Sequence, residues 1–171
     1  MSFAVENSAY LKGLAAAVEA ARNLTLPQPM SIQIPSLTEF NLAPEDCLKC
    51  VWDLEHAIYV IKSNTDPKKL RTQLLDFKAS KQRACPKIHN HLSDTLYVGS
   101  STTGIASRLK GHLGFGHPST YALHLKFWFS DDISIEVYDL GKTDKKVVQL
   151  IEDAISFYLN PMFGKRGGNN K

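Results

Sequence analysis

The stretch HAIYVIKS at residues 56–63 constrains this chain more than any other. It is a continuous apolar run bounded by polar residues. Its β-branched and aromatic content reads as a buried strand. The backbone polar groups of a buried strand need partners, so further strands must lie beside it. Two follow in the sequence. TLYVGS at 95–100 is short and reaches a glycine. ISIEVYDL at 133–140 alternates Ile133, Ile135 and Val137 with Ser134, Glu136 and Tyr138, the period of a half-buried strand.

Helical patterns fill the intervals. ENSAYLKGLAAAVEAARNL at 6–24 reads as an amphipathic helix rich in Ala and Leu. DPKKLRTQLLDFKASKQR at 66–83 has Asp66 as N-cap and Pro67 at the first helical position. TGIASRLKGHL at 103–113 reads as a short helix after a Ser/Thr cap, with Ile105, Leu109 and Leu113 on one stripe. TDKKVVQLIEDAISFYLNP at 143–161 is a helix ended near Pro161. Between the first helix and the first strand lie four prolines in eighteen residues, from Pro27 to Pro44. That arm is expected to be extended and irregular. The fold class expected is α+β: a small three-stranded antiparallel or mixed sheet flanked by helices, with an N-terminal helix and extended arm. Residues 1–55 form the helix and Pro-rich arm, packed on a core domain of 56–171.

Composition excludes some classes. Hydrophobic residues are 43% and charged residues 22%, ordinary for a globular protein. No apolar run approaches the ~20 residues that span a bilayer, and the first residues lack the pattern of a secretory signal. Three cysteines, an odd number, argue against a disulfide framework. A cytoplasmic location without membrane contact is expected. Cys47 and Cys50 form a C-x-x-C, and Cys85, His89 and His91 offer further ligands. Their spacing matches no zinc-finger pattern, and ordinary thiols are the simpler expectation.

The net charge of +3 is unevenly spread. Residues 1–61 hold three Lys/Arg against seven carboxylates, whereas 62–87 hold eight Lys/Arg against Asp66 and Asp76. A block of +6 suits a polyanionic partner, or a solvated basic helix.

The final helix contains an oddity. Val148, Ile151, Ile155 and Leu159 make an apolar stripe, and Glu152 flanks or enters it. An ionised carboxylate there costs several kcal/mol unless compensated by a metal ion or an arginine, or unless it bends out to water. Arg108 and His112 stand at i and i+4 on one helix face. An Arg clamps phosphate with two parallel hydrogen bonds, and a neutral His accepts a proton or orients a water. Tyr59 and Tyr97 sit inside the first two strands, where each alone would read as a core aromatic. Gly99 ends the second strand, where backbone approaches closely or turns.

In this order the pieces resemble the GIY-YIG endonuclease superfamily. The first motif appears as AIYVI, with Ile58-Tyr59 and Ala57 in place of the usual glycine. The second appears as LYVG, with Tyr97-Val98-Gly99. Arg108 follows Tyr97 by eleven positions, where the family has its helix arginine, and His112 follows by four more, where several members have a histidine. Glu152 falls in the later helix, where the family places a metal-binding glutamate. The ending YLNPMFGKRGGNN resembles the segment that carries its asparagine, with Asn169 chosen over Asn170. The match covers about 56–171. Ser100 stands where some members have a lysine, so a basic helper is missing or comes from elsewhere, as from Lys110. Thirty-seven residues separate Tyr59 from Tyr97, where a compact member has a brief hairpin; the basic insertion at about 64–93 lies there.

The resemblance implies a metal-dependent endonuclease that hydrolyses DNA phosphodiester bonds, in a mobile-element, restriction or phage-defence setting. The alternative is a nucleic-acid-binding module without catalysis. Glu152 would hold Mg²⁺ or Mn²⁺. Arg108 would grip the scissile phosphate. Tyr59 would orient or deprotonate the attacking water, His112 relaying the proton. Tyr97 would bond a phosphate oxygen or hydrated metal, and Asn169 would position the glutamate or substrate. Gly99, Lys110, Lys68, Lys69, Arg71, Lys165 and Arg166 are the expected DNA contacts. A homodimer is left open.

Overall fold

The computed structural model describes residues 9–35 and 44–164. Asn169, Lys165 and Arg166 therefore lie outside the described residues. The fold is α+β. Helix α1 (Ala9–Asn23) leads to strand β1 (Met30–Ile34), short helix α2 (Pro44–Cys47), β2 (His56–Lys62), α3 (Pro67–Ala79), β3 (Thr95–Thr102), α4 (Ile105–Leu113), β4 (Ile133–Gly141) and α5 (Lys145–Leu159). One sheet runs in the order β1-β4-β2-β3, every pairing antiparallel.

The expected three strands are four. The added strand is in the proline-rich arm, read from sequence as irregular. Its five residues MSIQI pair with β4, Ile32 opposite Ile135. Ile32 and Ile34 turn inward while Ser31 and Gln33 face solvent. The arm tolerates this because Pro29 and Pro35 lie outside the strand and β1 is an edge, where missing N–H donors break no second ladder.

β2 is central, and its apolar run is buried on both faces. Ala57, Tyr59 and Ile61 join a larger core with Leu70, Leu74, Leu109, Leu123, Phe129 and Phe163. Ile58 and Val60 face a smaller core with Val98, Val147, Val148 and Ile151. α5, with α1 packed on it, therefore covers one face of the sheet, and α3 and α4 with the long loops cover the other.

The helix starts follow local chemistry. Asp66 caps α3 by accepting from the Lys68 amide at 3.0 Å, with Pro67 in the first turn. Asp144 caps α5 through the Lys146 amide at 2.8 Å. α4 departs from the expected Ser/Thr cap. Its N-cap is Gly104, at φ 121°, and no side chain caps it. The Ser/Thr cluster is consumed by β3, whose Ser101 Oγ donates instead to the Gly104 carbonyl at 2.9 Å.

The basic insertion is woven into the fold. Ala84 donates to the Pro118 carbonyl, His89 to Met162, and Gly164 back to Lys87. Five of the eight cations of residues 62–87 have intramolecular partners. Lys62 pairs with Glu136 at 2.7 Å and Lys69 with Asp131 at 3.0 Å. Arg71 donates to the His89 carbonyl, Lys78 to Pro86 and Arg83 to Gly116. Lys68, Lys81 and Lys87 are exposed. Among the described residues, no helix is long and apolar enough to cross a membrane.

Candidate functional site

β3 is an edge strand, so groups from both faces of the sheet meet around it. Alternation sends Tyr97 and Gly99 toward the α4 side and Val98 and Ser100 toward the α5 side. On the α4 side, antiparallel register sets Tyr59 directly opposite Gly99. A Cβ at Gly99 would lie 2.5 Å from Tyr59 Oη and 2.9 Å from Tyr97 Cε1. Glycine is therefore required for the two phenol rings to lie stacked, at 6.1 Å and 9°. Gly164, at φ 111°, backs the other edge of Tyr97, its Cβ position 2.9 Å from the ring.

His112 enters from α4. It is buried, its ring 4.3 Å from that of Tyr97 and 5.4 Å from that of Tyr59. Its Nε2 lies 2.9 Å from Tyr59 Oη. The Leu123 amide donates to its Nδ1 at 3.3 Å. Arg108, one turn earlier on α4, is exposed. Its positive charge acts on Tyr59, Tyr97, His112 and Glu152 together.

On the α5 side, Glu152 is half-buried. Its Oε2 accepts hydrogen bonds from Ser100 Oγ and, at 3.4 Å, from Gln149 Nε2. Ser100 is thus the neutral partner of the carboxylate.

Burial dominates the electrostatics. It raises the Glu152 carboxyl above its usual range, against the Ser100 hydrogen bond. It raises Tyr59 well above its ordinary value, helped by the charges of Tyr97 and Glu152 and opposed by Arg108. Tyr97 moves the same way. Burial, then the charges of Arg108 and His124, lowers His112 to about 3. Tyr59 and His112 are consequently both neutral near pH 7, and a proton moving from that phenol to that imidazole runs steeply uphill.

Tyr59, Tyr97, Arg108, His112, Glu152 and Gly99 thus stand within one another's contacts or fields. Lys110 does not join them. It pairs with Glu45 at 2.5 Å and lies over the Trp52 ring, since two helix positions turn it roughly 200° from Arg108. Lys68, Lys69 and Arg71 belong to α3, as described above. Sequence reasoning missed the Leu123 amide, Gly164 and the role of Ser100. No local pattern signals them, because each acts on a residue distant in sequence.

Glu152 fits a hard divalent cation in one respect: it is a partly desolvated carboxylate whose direct partners are neutral donors. One protein oxygen suits an ion that keeps most of its waters. Among the described residues, no three His, Cys, Asp or Glu side chains gather into a ligand cluster. That statement includes Cys47, Cys50 and Cys85, which are not joined in disulfides. No family model matches the sequence, and no curated protein or solved structure matches it either.

Proposed function

We propose that this chain is a divalent-metal-dependent endonuclease of GIY-YIG type that hydrolyses DNA phosphodiester bonds. The observation that supports it is convergence. Two strand tyrosines, a helix arginine, a buried histidine and a half-buried glutamate come from β2, β3, α4 and α5 to one sheet edge.

Each side chain has a task that its surroundings suit. Arg108 is exposed, so it is free to grip the scissile phosphate and offset the charge that develops there. Glu152 would hold Mg²⁺ or Mn²⁺. Such an ion supplies charge relief at the phosphate and acidifies a bound water. Ser100 and Gln149 fix the carboxylate's direction. Tyr59, neutral near pH 7, orients the attacking water rather than deprotonating it. Tyr97, stacked beside it, offers its hydroxyl to a phosphate oxygen.

The test is cleavage of supercoiled plasmid and of single-stranded DNA with Mg²⁺, Mn²⁺ or EDTA, wild type against Glu152→Ala. The expected result is metal-dependent nicking or linearisation, reduced on the order of 10³-fold in the variant. Salt-sensitive DNA binding without cleavage by either protein would instead support the non-catalytic binding module.

A further inference from the structure

We infer that His112 is held in its Nε2–H form by the Leu123 amide, donates a hydrogen bond to Tyr59, and serves as a positioning residue rather than a proton relay. The catalytic meaning rests on the nuclease proposal; the tautomer does not.

A neutral imidazole has one N–H and one lone pair. The Leu123 amide donates to Nδ1 at 3.3 Å, so the lone pair is there. The proton is then on Nε2, which faces Tyr59 Oη at 2.9 Å. The phenol oxygen accepts, and its own proton must point elsewhere, away from His112. The amide that sets this is itself anchored. Leu123 is fully buried, and its carbonyl accepts from Trp128 Nε1 at 2.6 Å. The neighbouring Ala122 amide bonds the Ala84 carbonyl. The Tyr97 ring packs against the imidazole, centroids 4.3 Å apart.

A relay would need a nitrogen ready to receive the Tyr59 proton. Nε2 already carries one, and Nδ1 faces an amide N–H. An imidazolium would present two N–H groups to a site that offers one acceptor. It would also sit beside Arg108 and His124 with little water. His112 thus leaves the Tyr59 hydroxyl proton directed away from the imidazole, as a donor to the phosphate or the attacking water. No proton passes between the two side chains.

The experiment begins with long-range ¹H–¹⁵N correlation on the ¹⁵N-labelled full chain at pH 7, His112 signals being identified by their loss in His112→Gln. A protonated Nε2 with an unprotonated Nδ1 is expected. The opposite tautomer, or an imidazolium, overturns the inference. The second arm is cleavage. A glutamine amide reaches roughly the place of Nε2 and donates, but relays nothing. His112→Gln should stay within about tenfold of wild type, while folded His112→Leu, lacking a donor, should lose about 100-fold. Equal losses in both variants would overturn the positioning role. A wild type that cleaves nothing would remove the nuclease proposal, and the spectrum would still decide the tautomer.

Discussion

At the scale of single residues, space and protonation are the two controls. Gly99 is the spatial one. Its missing side chain is the room that Tyr59 occupies, at 2.5 Å from where a Cβ would be. Gly99→Ala should displace Tyr59 from His112, destabilise the fold by about 1–3 kcal/mol, and lower kcat more than tenfold; urea unfolding and single-turnover cleavage measure the two effects. His112 is the control on protonation. Its folded value of about 3 lies below the 6.5 of an unfolded chain. Between those values the unfolded state binds more protons, so stability is full above about pH 6.5 and falls as pH drops toward 3. The loss is on the order of 5 kcal/mol at most. His124 shifts in the same direction, and Glu152, raised, gives the opposite slope over its own range. Urea midpoints from pH 8 to 4.5 should therefore fall more steeply for wild type than for His112→Gln. Parallel curves would show that His112 is not buried neutral.

At the scale of elements, β1 deserves a direct trial because its sequence context argued against a strand. Ile34 is fully buried and Gln33 is exposed, one residue apart. Ile34→Ala should cost about 2–4 kcal/mol. Gln33→Ala should stay within about 0.5 kcal/mol. An irregular, loosely attached arm would show no such contrast in urea midpoints. β1 also protects the fold: without it, the edge of β4 would present unpaired backbone to other chains. On the far side, β3 is the other edge of the sheet, its first carbonyls bonded by the Met162 and Phe163 amides, and its alternation presents Tyr97 to the α4 side and Ser100 to Glu152 of α5.

At the scale of the whole molecule, charge is redistributed by folding. Residues 62–87 read as +6 along the chain, yet Lys62, Lys69, Arg71, Lys78 and Arg83 are spent on internal partners. DNA affinity should fall linearly with the logarithm of salt concentration. Lys68→Gln should reduce that slope by about 1 if Lys68 meets a phosphate, whereas Lys78→Gln should leave it unchanged. Fluorescence anisotropy over a range of salt concentrations measures both. Apolar surface is also unevenly placed. Phe157 and Tyr158 stand exposed on α5, and Tyr158 lines a cleft of about 650 Å³ between α1 and α5.

The sequence by itself determined the local pieces: the buried β2, the alternating β4, the Asp66 cap of α3 and the stripe of α5 that Glu152 enters. These depend on period, propensity and capping, all of which act over a few residues. It also marked Tyr59, Tyr97, Arg108, His112 and Glu152, through spacing that resembles a known family's. Only the tertiary structure decided that Gly99 faces Tyr59, that Ser100 holds Glu152, that Lys69 belongs to Asp131, and that the arm supplies a fourth strand. It alone decided which nitrogen of His112 carries the proton, through an amide eleven residues away. Such pairings join residues far apart along the chain, and their free energy exists only once strand register and helix packing have brought them together.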